Sequence, residues 1–170
     1  SESLTGVRSS LNLAGAVWTP DPLQAAFCWQ PELMRRITRA ISNTVFDVIQ
    51  VEHLRGVRYG LGALAQNERL QKRIPVLWDS VDCISHLFEQ TQQNSSQRSK
   101  RWITRFELER TRQFEAQMTT RFARTLIVSE SERLAFCELP GALCERVSVV
   151  PNGVALDYFA PTDTVRDPAT

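Results

Sequence analysis

Val45-Phe46-Asp47-Val48-Ile49-Gln50-Val51 is a short apolar run dominated by β-branched residues. Such a run reads as a buried strand, because branched side chains fit a pleated surface and seven residues are too few for a stable helix. Leu54 to Ala65 follows with helical spacing, although Gly56, Gly60 and Gly62 lower its propensity and suggest close packing on a sheet. Ile74–Trp78 is a second apolar strand, and Val81 to Gln92 reads as a helix ending at the polar break Gln93-Asn94-Ser95-Ser96. Ser99 to Phe122 is the strongest helix, with Trp102, Ile103, Phe106, Phe114, Met118 and Phe122 on one face and charged residues, including the Arg105–Glu109 pair, on the other. Thr125–Val128 and Val147–Val150 are two more strands. The helix between them opens on a capping box at Ser129-Glu130-Ser131-Glu132 and stops at Pro140-Gly141. Strands with continuous apolar runs, separated by helices, imply an α/β fold: a Rossmann-like parallel sheet with helices on both faces.

Upstream, Pro31 suits a first helical turn, and Leu33, Met34, Ile37, Ala40 and Ile41 repeat at helical spacing up to Ser42-Asn43. Gln24–Trp29 reads as a short strand, set off by the breaker Trp18-Thr19-Pro20-Asp21-Pro22. Residues 1–150 thus form one domain, and residues 151–170, opening with Pro151-Asn152-Gly153, have the composition of a linker.

Composition narrows the function. Hydrophobic residues make up 42% of the 170 and charged residues 23%, which excludes a disordered tail and supplies a core. No apolar stretch is long enough to span a bilayer. Ser1 opens the chain with neither methionine nor a basic-plus-apolar leader, as expected for a piece of a longer protein without a visible targeting segment. A net charge of +1 speaks against nucleic acid as a partner. The segment from Arg98 to Arg124 carries eight basic and three acidic residues but no interleaved exposed aromatics, so it reads as a solvated or membrane-facing surface. Cys28, Cys83, Cys137 and Cys144 match no metal or redox spacing and read as small, mostly buried hydrophobes in a reducing compartment. Two histidines without ligand spacing give no metal site, and no Gly-x-Ser-x-Gly, Gly-x-Gly-x-x-Gly or Walker A string occurs.

In open parallel sheets, ligands bind beyond the carboxyl ends of the strands. The polar residues there are Glu52 and His53 after the first clear strand, Asp79 and Asp82 after the second, Ser129 after the third, and Asn152 and Gly153 after the last. Each has a plainer reading. His53 fits an ordinary loop histidine, Asp79 and Asp82 fit caps of the following helix, and Ser129 fits a cap.

Four segments also carry a resemblance. Phe46-Asp47-Val48-Ile49-Gln50-Val51-Glu52-His53, Pro75-Val76-Leu77-Trp78-Asp79-Ser80-Val81-Asp82, Ala123-Arg124-Thr125-Leu126-Ile127-Val128-Ser129-Glu130-Ser131-Glu132 and Val147-Ser148-Val149-Val150-Pro151-Asn152-Gly153-Val154 stand in order. Followed by Tyr158-Phe159-Ala160-Pro161, they resemble the N-terminal, acceptor-side domain of family 4 glycosyltransferases, and details around Asp79–Asp82 resemble the exopolysaccharide-associated branch. The match spans Phe46 to Pro161, about two thirds of the chain. These are retaining enzymes of GT-B architecture. The resemblance implies transfer of a sugar from a nucleotide-diphosphate donor to a lipid-linked or carbohydrate acceptor, at the cytoplasmic side, with possible peripheral contact to the inner membrane face. It implies no separate cofactor. It makes Glu52, His53, Asp79 and Asp82 acceptor-binding candidates and places Asn152 and Gly153 at the hinge of the cleft.

The same resemblance implies that the first strand with its glycine-rich loop precedes Ser1 and that the donor domain follows Thr170, so the fragment alone is expected to be inactive. The position where many members carry a histidine is Val81 here, so no catalytic residue is assigned. Pairs at the family's glutamate spacing, Glu107/Glu115 and Glu130/Glu138, lie on amphipathic helices without flanking glycines and read as coincidence. The alternative is a non-catalytic α/β domain acting by protein–protein contact.

Overall fold

The structure, a computed structural model, describes Thr19 and residues 21–94 and 98–155, with residues 92–94 and 98–105 described by backbone alone. Trp18, the side chains of Trp102, Ile103 and Arg105, and the Tyr158–Pro161 segment lie outside what is described. The elements run α1 (Leu23–Phe27), α2 (Pro31–Asn43), β1 (Ile49–Glu52), α3 (His53–Arg69), β2 (Val76–Val81), α4 (Ile84–Asn94), α5 (Arg98–Arg121), β3 (Arg124–Ile127), α6 (Glu130–Cys137), a short 3-10 turn (Cys144–Arg146) and β4 (Val147–Val149).

The four strands form one sheet in the order β1-β2-β3-β4, every neighbouring pair parallel. This is the expected α/β, Rossmann-like arrangement: each consecutive pair of strands is joined through helix, because a parallel partner can be reached only by crossing over the sheet. The register sets Ile49 opposite Val76, Trp78 opposite Thr125 and Thr125 opposite Val147. Those residues share one face with Val51 and Ile127, and that face carries the core. Trp78, fully buried, lies 6.2 Å from the Phe122 ring and 5.7 Å from the Phe136 ring, which joins β2 to the end of α5 and to α6.

Gly60 of α3 is where helix and sheet approach most closely. A Cβ there would stand 2.7 Å from Phe122 and 2.9 Å from Val51, so a hydrogen is all the contact admits. Gly62 abuts Met34 of α2 instead, and Gly56 has ordinary room. Cover of the sheet is lopsided. The opposite face, carrying Gln50, Glu52, Leu77, Asp79, Arg124, Leu126 and Ser148, has no fully buried residue among those described.

Several sequence expectations shift. Gln24–Trp29 is not a strand: Leu23–Phe27 is helical, its Ala25 and Ala26 buried, and Tyr59 Oη accepts from Gln30 N–H at 2.8 Å and donates to Cys28 C=O at 2.7 Å. Aromatic capture of the chain outcompetes a strand that has no neighbour to pair with. β1 begins at Ile49, leaving Val45 and Phe46 exposed before it. β2 runs on through Asp79 and Ser80 to Val81, with an irregularity between Asp79 and Val81. Cys137 and Cys144 are not separate hydrophobes but a disulfide that ties the end of α6 to the turn before β4. Cys83 is buried and Cys28 is partly buried. Among the described residues, no helix is long and apolar enough to cross a membrane.

Helix α5 departs most from its amphipathic reading. Phe114, Met118 and Phe122 are buried as expected, but Phe106 is half-exposed, and Glu107, Thr111, Glu115 and Thr119 form a buried polar stripe at four-residue spacing. Three of them accept hydrogen bonds from backbone N–H groups of other segments. Glu107 takes Leu23 N–H at 2.9 Å, Glu115 takes Ile84 and Ser85 at 2.8 and 3.2 Å, and Thr119 takes Leu143 at 2.8 Å. The long helix thereby terminates three other elements. Burial of its glutamates follows from that duty, since an unpaired amide at a buried helix start is costly.

Candidate functional site

The parallel sheet brings the carboxyl ends of β1 and β2 side by side, with Glu52 in register with Asp79 on the open face. Gln50 Nε2 donates to Asp79 Oδ2 at 2.8 Å, fixing that carboxylate against the neighbouring strand. Glu52 and His53 are exposed, and Asp79 and Asp82 are half-buried. His53 opens α3 with φ of +56°, and Val81 sits at φ of +67° immediately before Asp82. A β-branched residue in the left-handed region is strained by about 1–3 kcal/mol, and such residues persist only where surrounding contacts over-determine them.

The contacts around Val81 do so. Ser80, fully buried, donates its hydroxyl to Asp82 C=O at 2.8 Å, and Asp82 N–H donates to Ser80 C=O at 2.8 Å. Val128 N–H holds Val81 C=O at 3.1 Å. Beyond Asp82, Cys83 N–H donates to Glu132 Oε2 at 2.5 Å, and the next two amides donate to Glu115. The N-terminus of α4 is thus closed by carboxylates from α5 and α6. The expected capping roles of Asp79 and Asp82 do not occur: Asp79 accepts from Gln50, and the Asp82 carboxylate has no hydrogen bond or ion pair among the described residues. Ser129 does cap α6, its Oγ accepting from Glu132 N–H at 3.3 Å. Glu132 completes no reciprocal box, because its carboxylate is spent on Cys83.

Burial dominates the electrostatics behind this turn. It raises the Glu115 carboxyl to about 7, against the lowering pull of its Ser85, Ile84 and Cys83 hydrogen bonds. Burial, reinforced by the Glu115 charge, pushes the Cys83 thiol up to about 12, so Cys83 stays a protonated donor to Glu115 and is no nucleophile.

Asn152 and Gly153 are exposed beyond β4, at the far edge of the sheet. Three strand spacings separate that edge from β1, about 14 Å. The register sets Glu52 beside Asp79, His53 and Asp82 follow at the ends of β1 and β2, and Asn152 and Gly153 lie apart beyond β4. Gly153 has open space around its Cβ position and no left-handed backbone, so the turn does not require glycine. Among the described residues, no three His, Cys, Asp or Glu side chains are grouped to hold a metal ion. Glu115 and Glu132, which support the site, escaped sequence reasoning. The one readable signal was a glutamate every eighth residue on α5, at Glu107 and Glu115, and its backbone partners come from distant segments.

The rim is acidic, partly exposed and built from carboxylates whose lone pairs are mostly unspent among the described residues. It is suited to accepting hydrogen bonds from hydroxyl groups and unsuited to holding a phosphate. No protein-family model matches the chain, and no curated protein matches it.

Proposed function

We propose that this chain is the acceptor-side domain of a retaining sugar transferase, which moves a sugar from a nucleotide-diphosphate donor to a lipid-linked or carbohydrate acceptor. The observation that carries the proposal is the acidic rim where β1 and β2 end, with the Asp82 carboxylate unspent beside a strained residue. Two of the four ordered segments that resemble family 4 glycosyltransferases end on that rim, and acceptor hydroxyls are its natural ligands. Asp79 and Asp82 bind acceptor hydroxyls, with Glu52 and His53 flanking them. The donor belongs to a second domain, which supplies the electrostatic stabilisation of the departing diphosphate.

The α4 start supports that division. Amides at a helix N-terminus are the usual cradle for a diphosphate, and here those of Cys83, Ile84 and Ser85 are taken by Glu132 and Glu115. The chain by itself is therefore expected to bind uridine or guanosine diphosphate sugars weakly or not at all. Calorimetry that found tight, stoichiometric binding of such a donor would overturn this reading. The parent reading frame provides a second test: a downstream domain with a glycine-flanked pair of glutamates at the family spacing is expected.

A domain acting by protein contact is the second reading. It is favoured by the half-open sheet face and by Val45, 91% exposed, before β1. A stop codon soon after Thr170 in the parent frame would favour it over the transferase.

A further inference from the structure

The turn that carries Asp82 is held from behind by two glutamates whose hydrogen bonds, among the described residues, all go to residues 83–85. Glu132 of α6 accepts from Cys83 N–H at 2.5 Å, and Glu115 of α5 accepts from Ile84 and Ser85 N–H at 2.8 and 3.2 Å. Glu115 is fully buried and has no ion pair among the described residues: Arg110 pairs with Glu107, and Arg112 pairs with Glu89. A helix start leaves several orphan amides, and Ser, Thr, Asp or Asn at the cap position usually satisfies one of them locally. Here the cap position is Cys83, and two carboxylates arrive from separate helices instead. The result fixes the turn against two rigid bodies at once, immediately after a β-branched residue in the left-handed region.

We propose that Glu115 and Glu132 are positioning residues, a two-pronged clamp on the turn between β2 and α4 that sets the Asp82 carboxylate at the rim of the sheet. The clamp acts through the backbone of residues 82–85 and touches no substrate. What Asp82 does at the rim rests on the acceptor-site reading, whereas how Asp82 is held does not. Three features make the clamp specific to this turn. Its acceptors are ionisable groups kept inside the fold at a desolvation cost. They come from two separate helices, α5 and α6. And Asp82, the residue they leave projecting, is the one rim aspartate with no bond of its own.

The test compares Glu115→Gln, Glu132→Gln and Glu107→Gln in the full protein. Glu107 is the control, because it performs the same kind of capping at Leu23 N–H, on the same helix but on a different segment. Amide hydrogen exchange and the Asp82 carboxyl-carbon resonance are read by NMR at one pH. E132Q is expected to accelerate exchange at Cys83 by about tenfold or more, and E115Q to do so at Ile84 and Ser85. Both move the Asp82 resonance, and E107Q moves none of these. Should E115Q fail to fold, E132Q carries the test alone.

Exchange that accelerates alike at Val51 and Ile127 on the sheet, or an Asp82 resonance that stays in place, would overturn the clamp. Acceptor kinetics of the whole transferase then separate the two ideas. With the clamp, E115Q and E132Q raise the acceptor KM by about tenfold while the donor KM holds. If Asp82→Ala abolishes turnover and the clamp variants leave the acceptor KM unchanged, the clamp is wrong and the acceptor site stands. If Asp82→Ala leaves turnover intact while the clamp variants move its resonance, the clamp stands and the acceptor site is wrong.

Discussion

At the scale of single residues, Asp82 and its neighbours separate a functional carboxylate from a structural one. A capping aspartate would cost about 1 kcal/mol of folding free energy when cut to alanine. Asp82 makes no capping bond, since Glu132 and Glu115 occupy the α4 amides. Asp82→Ala is therefore expected to change folding free energy by less than about 0.5 kcal/mol, the range of substitutions that remove no packed or bonded group. Acceptor turnover in the intact enzyme is expected to fall by about tenfold or more, as for a lost charge-assisted hydrogen bond. Chemical denaturation measured beside steady-state kinetics checks both halves; a loss of stability with turnover preserved would return Asp82 to a structural role. Cys83, one residue on, shows the opposite case: burial holds its thiol protonated, so its place near the rim carries no reactivity.

At the scale of elements, the contact between α3 and the sheet turns on Gly60. Gly60→Ala is a helix-favouring change worth up to about 1 kcal/mol in open solvent. Here the added methyl would meet Phe122, buried against Trp78, at 2.7 Å and the half-buried Val51, in register with Trp78, at 2.9 Å. Overpacking of this kind costs about 1–3 kcal/mol, so the strain outweighs the propensity gain and a lower melting temperature is expected by calorimetry. Gly62→Ala is milder, because the thioether of Met34 can rotate away.

The sequence made this close approach legible at Gly60, and it made the four strands, their helical connections and the Ser129 cap legible too, because each rests on local periodicity or on a cap within one turn. Where β2 ends was not legible. Asp79 and Ser80 look like loop residues, yet pairing with β1 and β3 carries the strand through them to Val81. Equally hidden were the helical form of Leu23–Phe27, imposed by Tyr59 of α3, and the duty of Glu115, whose partners lie about 30 residues away in sequence. Long-range pairing overrides local pattern in all three. For the candidate site, strand ends pointed to Glu52, His53, Asp79 and Asp82, but nothing local placed Asn152 and Gly153 at the opposite edge of the sheet.

At the scale of the whole molecule, the buried Glu115 makes the fold answer to pH. Its carboxyl titrates near 7 in the folded protein, because burial disfavours the charged form, against the ordinary 4.5. Between those values the folded state holds a proton that the unfolded chain has released, so stability falls as pH rises. The stabilisation is fully present below about 4.5, declines as pH climbs through about 7 and is gone above it, a total of up to about 3 kcal/mol. A small open cleft of about 30 Å3 lies beside Glu115, lined by Cys83, Ser85, His86, Glu89, Arg112 and Glu138 among others. Of the groups around Glu115, the Cys83 thiol donates to it and stays protonated throughout, the charges of Arg112 and Glu89 are paired at 2.9 Å, and Glu132 bonds to the Cys83 amide. His86 bonds to Gln90 at 2.9 Å and lines the same cleft, so His86→Gln is the control that removes the neighbouring imidazole. Glu115→Gln removes the ionisation while keeping one acceptor for Ile84. The expected result is that wild-type protein loses stability relative to E115Q as pH rises from about 4.5 to about 8, in urea titrations followed by circular dichroism, and that the difference persists in the H86Q background. Curves for wild type and E115Q that run parallel across this range would mean that Glu115 is already ionised in the fold, its charge borne by the two amides and the thiol that bond to it.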